Sequence, residues 1–157
     1  MPGLENGQRF PDLDFEVVGG DHIELPTYLE GHFGVVLGYR GSWCPYCNAQ
    51  LASFQRHLPR LESEGIRVVA LSADDEEHAR STVDQHEITF PVGYGVDAEK
   101  TADLLGGYVN RARASLESTD FLLRPDSTIE VAVYSSKVLG RLVADDVIGY
   151  VRHLRSR

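Results

Sequence analysis

The chain has 157 residues, of which 42% are hydrophobic and 25% charged, and its formal net charge is −9. This length is enough for one ordinary domain with a sizeable core, so we predict a single domain over residues 1–157. The negative charge argues against broad binding to nucleic acid or to an anionic membrane surface, because phosphate groups would be repelled.

The first part of the sequence predicts a hairpin followed by a buried strand. Residues 10–25 contain two short extended runs separated by a Gly-Gly-Asp turn, a pattern typical of a β-hairpin. The apolar run from Phe33 to Tyr39 is typical of a central strand that is covered on both faces.

A helix is predicted from about Pro45 to Glu64. Its apolar residues recur at alternating spacings of four and three, which places them on one face: Cys47, Leu51, Phe54, Leu58 and Leu61. Pro59 falls inside this stretch and should kink the helix or split it.

The second half of the sequence alternates between strand-like and helix-like segments. We predict a buried strand over 66–72, a polar helix over 73–87 with Ser72 and Asp75 as a capping box, an extended run over 88–97, and a short helix over 98–107 that Gly106 ends. Residues 118–136 predict two strands around a turn at 124–127, and residues 144–155 predict a closing amphipathic helix.

This order of elements predicts an α/β protein. A hairpin, then β-α-β-α and then β-β-α, gives a central mixed β-sheet flanked by helices on both faces, with an N-terminal β-hairpin extension. The sequence has neither of the glycine-rich motifs of dinucleotide and P-loop sites, so we predict no nucleotide cofactor.

Both cysteines lie in the stretch RGSWCPYCNAQL, residues 40–51, where the predicted strand leads into the predicted helix. Pro45 suits the first helical position, so Cys44 should lie at the helix N-terminus, where unpaired N–H groups lower the pKa of a thiol. Cys47 should lie one turn further in, less exposed but within reach of Cys44. We therefore predict a redox centre in which Cys44 attacks and Cys47 resolves the product through a Cys44–Cys47 disulfide.

The alternatives for this pair are a metal site and an inert buried pair. A structural zinc site needs four ligands, but there is no second cysteine pair, and the only histidine in the cysteine helix is His57, ten residues beyond Cys47. A lasting structural disulfide is not favoured either. Because the N-terminus lacks a secretory signal and no apolar run approaches the roughly 20 residues of a membrane span, we expect a cytoplasmic protein, where disulfides are mostly transient and catalytic.

The stretch YRGSWCPYCNAQL, with the strand before it and the helix after it, resembles the thioredoxin superfamily and, more narrowly, the AhpC/TSA peroxiredoxin-like group that carries a C-x-x-C. The segments RVVALSADDEE, ITFPVGYGVDAEKTADLLGGY and DFLLRPDSTIEVAVYSS are similar to the same group, so the resemblance covers nearly the whole chain. It implies a thioredoxin-like fold, thiol redox chemistry, an external thiol or dithiol reductant and a disulfide or peroxide substrate. It also allows a homodimer.

Five residues around the pair are expected to support the site: Arg40, Ser42, Trp43, Pro45 and Tyr46. Trp43 matches the Trp that precedes the cysteines of thioredoxins, and it predicts an apolar wall beside the sulfur; the alternative is a Trp that caps the core. Arg40, Arg111 or Arg113 could supply a cation to the sulfur, and the alternative for each is ordinary solvated charge.

The sequence departs from the peroxiredoxin pattern P-x-x-x-T/S-x-x-C. Leu37 stands in the Pro position and Gly41 in the Thr/Ser position, with Ser42 one place off. Ser118 stands three residues before Phe121, where peroxiredoxins have an arginine and thioredoxins a cis-proline. Neither the peroxide cradle nor the substrate-binding proline is therefore found at its expected place.

Three functions stay open at this point. The first is a thiol–disulfide oxidoreductase, which the C-x-x-C with its preceding Trp favours. The second is a thiol peroxidase recycled through the same disulfide, which the segments outside the motif favour and the missing Thr and Arg weaken. The third is a non-catalytic binding domain on a redox fold. We place the disulfide function first.

Overall fold

The computed structural model describes residues 3–157. The strands are β1 (Leu13–Val17), β2 (His22–Leu25), β3 (Phe33–Gly38), β4 (Ile66–Leu71), β5 (Val92–Tyr94), β6 (Val109–Asn110), β7 (Ser115–Leu116), β8 (Thr119–Leu123) and β9 (Ile129–Tyr134). The helices are α1 (Pro45–Arg56), α2 (Leu58–Ser63), α3 (Glu76–His86), α4 (Ala98–Leu105) and α5 (Ala144–Arg155), and a single 3₁₀ turn covers Thr27–Leu29. Within residues 3–157, no helix combines the length and the apolar character that crossing a bilayer requires.

Seven of the strands form one mixed sheet in the order β2-β1-β5-β4-β3-β8-β9. β4 pairs in parallel with both β3 and β5, whereas β8 runs antiparallel to β3 and β9, and β1 runs antiparallel to β2 and β5. The parallel pairs need crossover connections, which α1 with α2 and then α3 provide. The predicted mixed sheet and N-terminal hairpin are both present, while the small β6–β7 hairpin was not predicted.

The side chains of β3 alternate between two hydrophobic cores on opposite faces of the sheet. Val35 and Leu37 pack with residues of α1, α2 and α5, whereas Val36 packs with residues of the N-terminal hairpin and with Leu105 of α4. A strand that is buried on both faces must be apolar at every position, and this is why β3 reads as a continuous hydrophobic run. The cores fix β3, and therefore the turn that follows it.

The cysteine helix is split in the way that Pro59 predicts. α1 ends at Arg56, and α2 begins at Leu58 with Pro59 in its first turn, where a missing N–H breaks no helical hydrogen bond. The predicted apolar stripe is also confirmed, because all of its residues are buried: Cys47, Leu51, Phe54, Leu58 and Leu61.

The ends of the shorter helices bear out one prediction and correct another. Gly106 ends α4 in the left-handed conformation, with φ of 76°, as predicted. The predicted capping box of α3 is wrong, because Asp75 is itself the N-cap and accepts the N–H of His78 at 2.9 Å. Ser72 lies further back, directly after β4, and its hydroxyl accepts the N–H of Asp74.

Candidate active site

Both cysteines lie where β3 leads into α1. Cys44 is the N-cap of α1 and Pro45 occupies the first helical turn. The Sγ of Cys44 accepts the backbone N–H of Cys47 at 3.3 Å, so it takes the place that a serine or aspartate oxygen has in an ordinary cap. A negative charge on this sulfur therefore faces the unpaired N–H groups and the positive end of the helix dipole.

The turn before Cys44 is held in place from two sides. Asp74 accepts the backbone N–H of Ser42 at 2.8 Å, and the amide of Asn48 donates to the Ser42 carbonyl at 2.9 Å. Ser42 thus takes part through its backbone, and within residues 3–157 its hydroxyl donates no hydrogen bond to either sulfur. Asp74 and Asn48 were not predicted as members of the site.

Gly41 occupies the position of the peroxiredoxin Thr/Ser for a steric reason. A Cβ atom at Gly41 would lie 2.6 Å from Nε1 of Trp43 and 3.1 Å from Oδ1 of Asp74. The first distance is far inside van der Waals contact, so a threonine at this position would have to displace the indole ring. The glycine and the tryptophan therefore belong together in this turn.

Two guanidinium groups reach the sulfur atoms. Nη1 of Arg40 lies 3.8 Å from Sγ of Cys44, while Nε of the same side chain donates to the buried carboxylate of Glu117 at 2.7 Å. Nη2 of Arg141 lies 3.1 Å from Sγ of Cys47 and 3.6 Å from Sγ of Cys44. Arg40 and Arg141 therefore supply positive charge at the sulfurs, although Ser118 stands where peroxiredoxins have an arginine.

The other candidate cations lie away from the sulfurs. Arg111 is exposed and pairs with Glu99 at 2.8 Å. Arg113 lies over the ring of Trp43, with its Cζ 4.0 Å from the ring centroid. Arg141 was not predicted, because it belongs to an irregular segment, residues 135–143, that carries no motif and lies 94 residues after Cys47 in the sequence.

The two thiols have opposite pKa shifts. Burial raises the pKa of Cys44, but the hydrogen bonds from Cys47 and Arg40 and the charge of Arg141 together outweigh it, so this pKa lies below its ordinary value. Burial, and then the contact with Cys44, raise the pKa of Cys47 to about 11. Cys44 is accordingly the group that ionises first, and Cys47 is the protonated partner.

A buried carboxylate ties the segment of Arg141 to the cysteine helix. Asp120 on β8 accepts the side-chain amide N–H of Gln50 at 2.8 Å and the backbone N–H of Leu142 at 3.0 Å. Gln50 also donates to the carbonyl of Leu142 at 3.0 Å. Because Gln50 lies one turn after Cys47, this link fixes Arg141 over the sulfurs. Burial raises the pKa of Asp120 to about 6.

The sulfur atoms are covered, but the aromatic residues beside them are not. The prediction that Cys44 is exposed and Cys47 less so is wrong, because both cysteines are 0% exposed, whereas Trp43 is 39% exposed and Tyr46 is 51% exposed. Pro45 is also exposed at the start of α1. Residues 3–157 contain no group of three or more His, Cys, Asp or Glu side chains that could hold a metal ion.

Replacing Arg141 with glutamine is expected to raise the pKa of Cys44, because the variant loses a positive charge in contact with the thiolate. Thiolate absorbance followed across pH measures this shift, and the rate of alkylation by iodoacetamide gives a second reading. Arg111→Gln is the matched control, since its guanidinium is paired with Glu99 on the surface. An unchanged titration of Cys44 in Arg141→Gln would contradict the assignment.

Comparison with known sequences gives relatives of two kinds. A sequence profile of the AhpC/TSA family matches residues 6–132. Thiol-disulfide oxidoreductase ResA of Bacillus cereus is 26% identical over 152 residues, which cover 96% of this chain and 79% of the relative. 1-Cys peroxiredoxin PER1 of Hordeum vulgare is 24% identical over 164 residues, which cover 98% of this chain and 74% of the relative.

Comparison with solved structures supports the same fold. Peroxidoxin BcpB from Mycobacterium tuberculosis has a TM-score of 0.83 at 15% identity, with 97% of this chain and 99% of the other covered. AhpC from the same organism has a TM-score of 0.80 at 20% identity, with 99% and 95% covered. The predicted thioredoxin-like fold is confirmed by these matches.

Proposed function

The chain belongs to the AhpC/TSA family of the thioredoxin superfamily, and from this premise we propose that it is a thiol–disulfide oxidoreductase in which Cys44 attacks and Cys47 resolves. Its relatives include thiol–disulfide oxidoreductases and peroxiredoxins, and the chain is an oxidoreductase like both. The observation that carries the proposal is the asymmetric pair: Cys44, with the lowered pKa, accepts the N–H of Cys47, whose pKa is raised.

The reaction balances as a two-step exchange. The Cys44 thiolate attacks one sulfur of the substrate disulfide, so a Cys44–substrate bond forms, the substrate S–S bond breaks and one thiolate leaves. Cys47 loses its proton and attacks Cys44, which forms the Cys44–Cys47 disulfide and releases the second thiolate. The two leaving thiolates take up the two protons that the cysteines have lost. The substrate is reduced by two electrons, and the enzyme dithiol is oxidised.

The surface beside Cys44 supports a disulfide as the substrate. Trp43 and Tyr46 present exposed aromatic side chains on either side of Cys44 and Pro45. Aromatic side chains at a surface supply large contact area at low entropic cost, which an organic disulfide can use and hydrogen peroxide cannot. In addition, Cys44 Sγ lies 3.3 Å from the backbone N of Cys47, so the resolving cysteine is adjacent to the sulfur that would carry the mixed disulfide.

Thiol peroxidase activity is the second candidate function. It is favoured by Arg40 and Arg141, whose guanidinium groups lie where they could polarise a peroxide bound at Cys44, and by the complete burial of Cys44, which favours a small oxidant. Here Cys44 would become a sulfenic acid as the peroxide is reduced to an alcohol or water. Cys47 would then displace water from it to form the same disulfide.

Either cycle requires an external reductant. We propose that a dithiol protein or a low-molecular-weight thiol returns the Cys44–Cys47 disulfide to the dithiol by the reverse exchange. A reducing compartment such as the cytoplasm would supply such thiols.

Trp43 is the only tryptophan of the chain, and it reports on Cys44 directly. Reduced protein is mixed in a stopped-flow instrument with hydroxyethyl disulfide and, separately, with hydrogen peroxide, and the fluorescence of Trp43 is followed. We expect a Cys44-dependent change with the disulfide that is faster than the reaction of a free thiol, and a peroxide reaction no faster than that of a free thiol. Cys44→Ser is the control.

The opposite result would favour the second candidate. A peroxide reaction far faster than that of a free thiol, together with an ordinary disulfide rate, would replace the proposal with thiol peroxidase activity. Absence of any Cys44-dependent change with both oxidants would contradict both functions and leave the non-catalytic binding domain.

A further inference from the structure

The surroundings of Cys44 are cationic in a chain that is strongly acidic overall. The chain has 24 acidic and 15 basic residues, and among residues 3–157 seven of the ten arginines outside this site have a carboxylate partner, the exceptions being Arg56, Arg67 and Arg157. Around the sulfurs the balance is reversed, because Arg113 and Arg141 form no ion pair with a carboxylate among residues 3–157. Unpaired guanidinium groups beside a reactive sulfur are available to a ligand.

The acidic groups nearest this surface are already engaged. Glu117 accepts from Arg40 at 2.7 Å, and Asp74 accepts the backbone N–H of Ser42 at 2.8 Å. Neither forms an ion pair with Arg113 or Arg141, and Asp120, whose charge interacts with Arg141, accepts from Gln50 and Leu142. Nη1 of Arg141 donates to the carbonyl of Val138 and, within the described part of the chain, Nη2 contacts only the two sulfurs, so Nη2 is the group that a substrate carboxylate would bind.

The guanidinium groups of Arg113 and Arg141, which have no carboxylate partner among residues 3–157, lie beside the exposed aromatic side chains. The Cζ of Arg113 lies 4.0 Å from the ring centroid of Trp43, and the Cζ of Arg141 lies 5.9 Å from that of Tyr46. Trp43 and Tyr46 flank Cys44 and Pro45 in the sequence and are exposed. Arg40 also lies at the Trp43 ring, with its Cζ 4.7 Å from the centroid, so a molecule with a sulfur near Cys44 would meet a guanidinium group beside each aromatic side chain.

Arg141 also covers the sulfur that must attack. Its Nη2 contacts both cysteines, and Cys44 is 0% exposed. A carboxylate brought in by the substrate would compete with the sulfurs for this guanidinium group and draw it aside, since charge-assisted bonds to carboxylate are strong. A cationic molecule would instead be repelled at the same place.

We infer that the preferred substrates are small disulfides that carry carboxylates close to the S–S bond, held by Arg113 and Arg141 at the aromatic side chains of Trp43 and Tyr46. This inference rests on the proposed disulfide activity and names its substrate class. Its chemistry is the exchange described above, in which Cys44 breaks the substrate disulfide and Cys47 releases the second thiol.

Three aliphatic disulfides that differ in charge test it: dithiodipropionate, hydroxyethyl disulfide and cystamine, which are anionic, neutral and cationic. The rate of Cys44 oxidation is measured for each by stopped flow and divided by the rate of mercaptoethanol with the same disulfide. We expect the corrected rate to be highest for dithiodipropionate and lowest for cystamine, and added salt to slow only the anionic substrate towards the neutral one.

Arg113→Gln is the decisive variant, because Arg113 does not contact either sulfur. An exposed charge contact contributes about 0.2–1 kcal/mol, so the dithiodipropionate rate should fall by up to about fivefold. The ratio of the dithiodipropionate rate to the hydroxyethyl disulfide rate should fall to the same extent, and the rate with cystamine should not fall. Arg111→Gln is the matched control and should alter none of the three rates.

The possible outcomes distinguish failure of the proposed substrate class from failure of the proposed disulfide activity. Equal corrected rates for the three disulfides, or a dithiodipropionate rate unaffected by Arg113→Gln, would overturn the substrate class while leaving the disulfide activity in place. Absence of Cys44-dependent reaction with all three would overturn the disulfide activity and, with it, the substrate class.

Discussion

Replacing Cys47 with serine will trap the substrate on Cys44 as a mixed disulfide and reduce steady-state disulfide turnover by at least about 100-fold. In the wild-type protein the resolving sulfur lies one helical turn from Cys44, so its effective concentration far exceeds any external thiol at millimolar level. Serine is close to cysteine in size and has a hydroxyl that can hydrogen-bond in place of the thiol, but it cannot form a disulfide. Intact-mass spectrometry after mixing with hydroxyethyl disulfide should show one added half-disulfide per chain.

Two further variants test whether the mixed disulfide in Cys47→Ser forms on Cys44. Cys44→Ser should show neither the added mass nor any turnover, because Cys47 is buried and its pKa of about 11 leaves it protonated. The double variant should be indistinguishable from Cys44→Ser. Turnover of Cys47→Ser at the wild-type rate would show that an external thiol, and not Cys47, resolves the intermediate.

The sequence predicts an element of the fold correctly where a local feature, such as burial on both faces or a proline, determines the residue pattern. β3 is apolar at successive positions because both faces are covered, and Pro59 divides α1 from α2 because it cannot donate a helical hydrogen bond. The β6–β7 hairpin was missed because each of its strands has only two residues, too few for any periodicity.

Only those residues of the candidate site that lie close together in the sequence could be predicted. Cys44, Cys47 and Arg40 lie within eight residues, and their contacts follow from one strand-to-helix turn. Arg141 and Glu117 reach the cysteines because distant segments of the chain pack against the site, and no sequence motif predicts this packing. A buried acid in a strand, Asp120, was the one available signal, since an apolar strand seldom carries a charge without a structural reason.

Asp120 makes a measurable prediction about stability. Its carboxyl is completely buried, and burial raises its pKa from 3.8 in the unfolded chain to about 6. Between these two values the unfolded chain has lost the proton that the folded chain keeps, so this group's contribution to stability is complete below pH 3.8 and is lost as the pH rises through about 6. The loss is about 3 kcal/mol for a shift of about two units.

Asp120→Asn removes this titration while keeping an oxygen that can accept from Gln50 and Leu142. We therefore expect the free energy of unfolding of the variant, relative to wild type, to rise by about 2.5 kcal/mol between about pH 4 and pH 7.5, as measured by urea denaturation at each pH. Asp126→Asn is the matched control with the opposite sign, because the hydroxyl and backbone N–H of Thr128 lower the pKa of exposed Asp126. A difference between Asp120→Asn and wild type that does not change with pH would mean that the pKa of Asp120 in the folded protein equals that of the unfolded chain, so that Asp120 is already largely ionised in the folded protein across this pH range. The link between Gln50 and the segment of Arg141 would then be a charged one throughout, and the hold on Arg141 would not weaken as the pH falls.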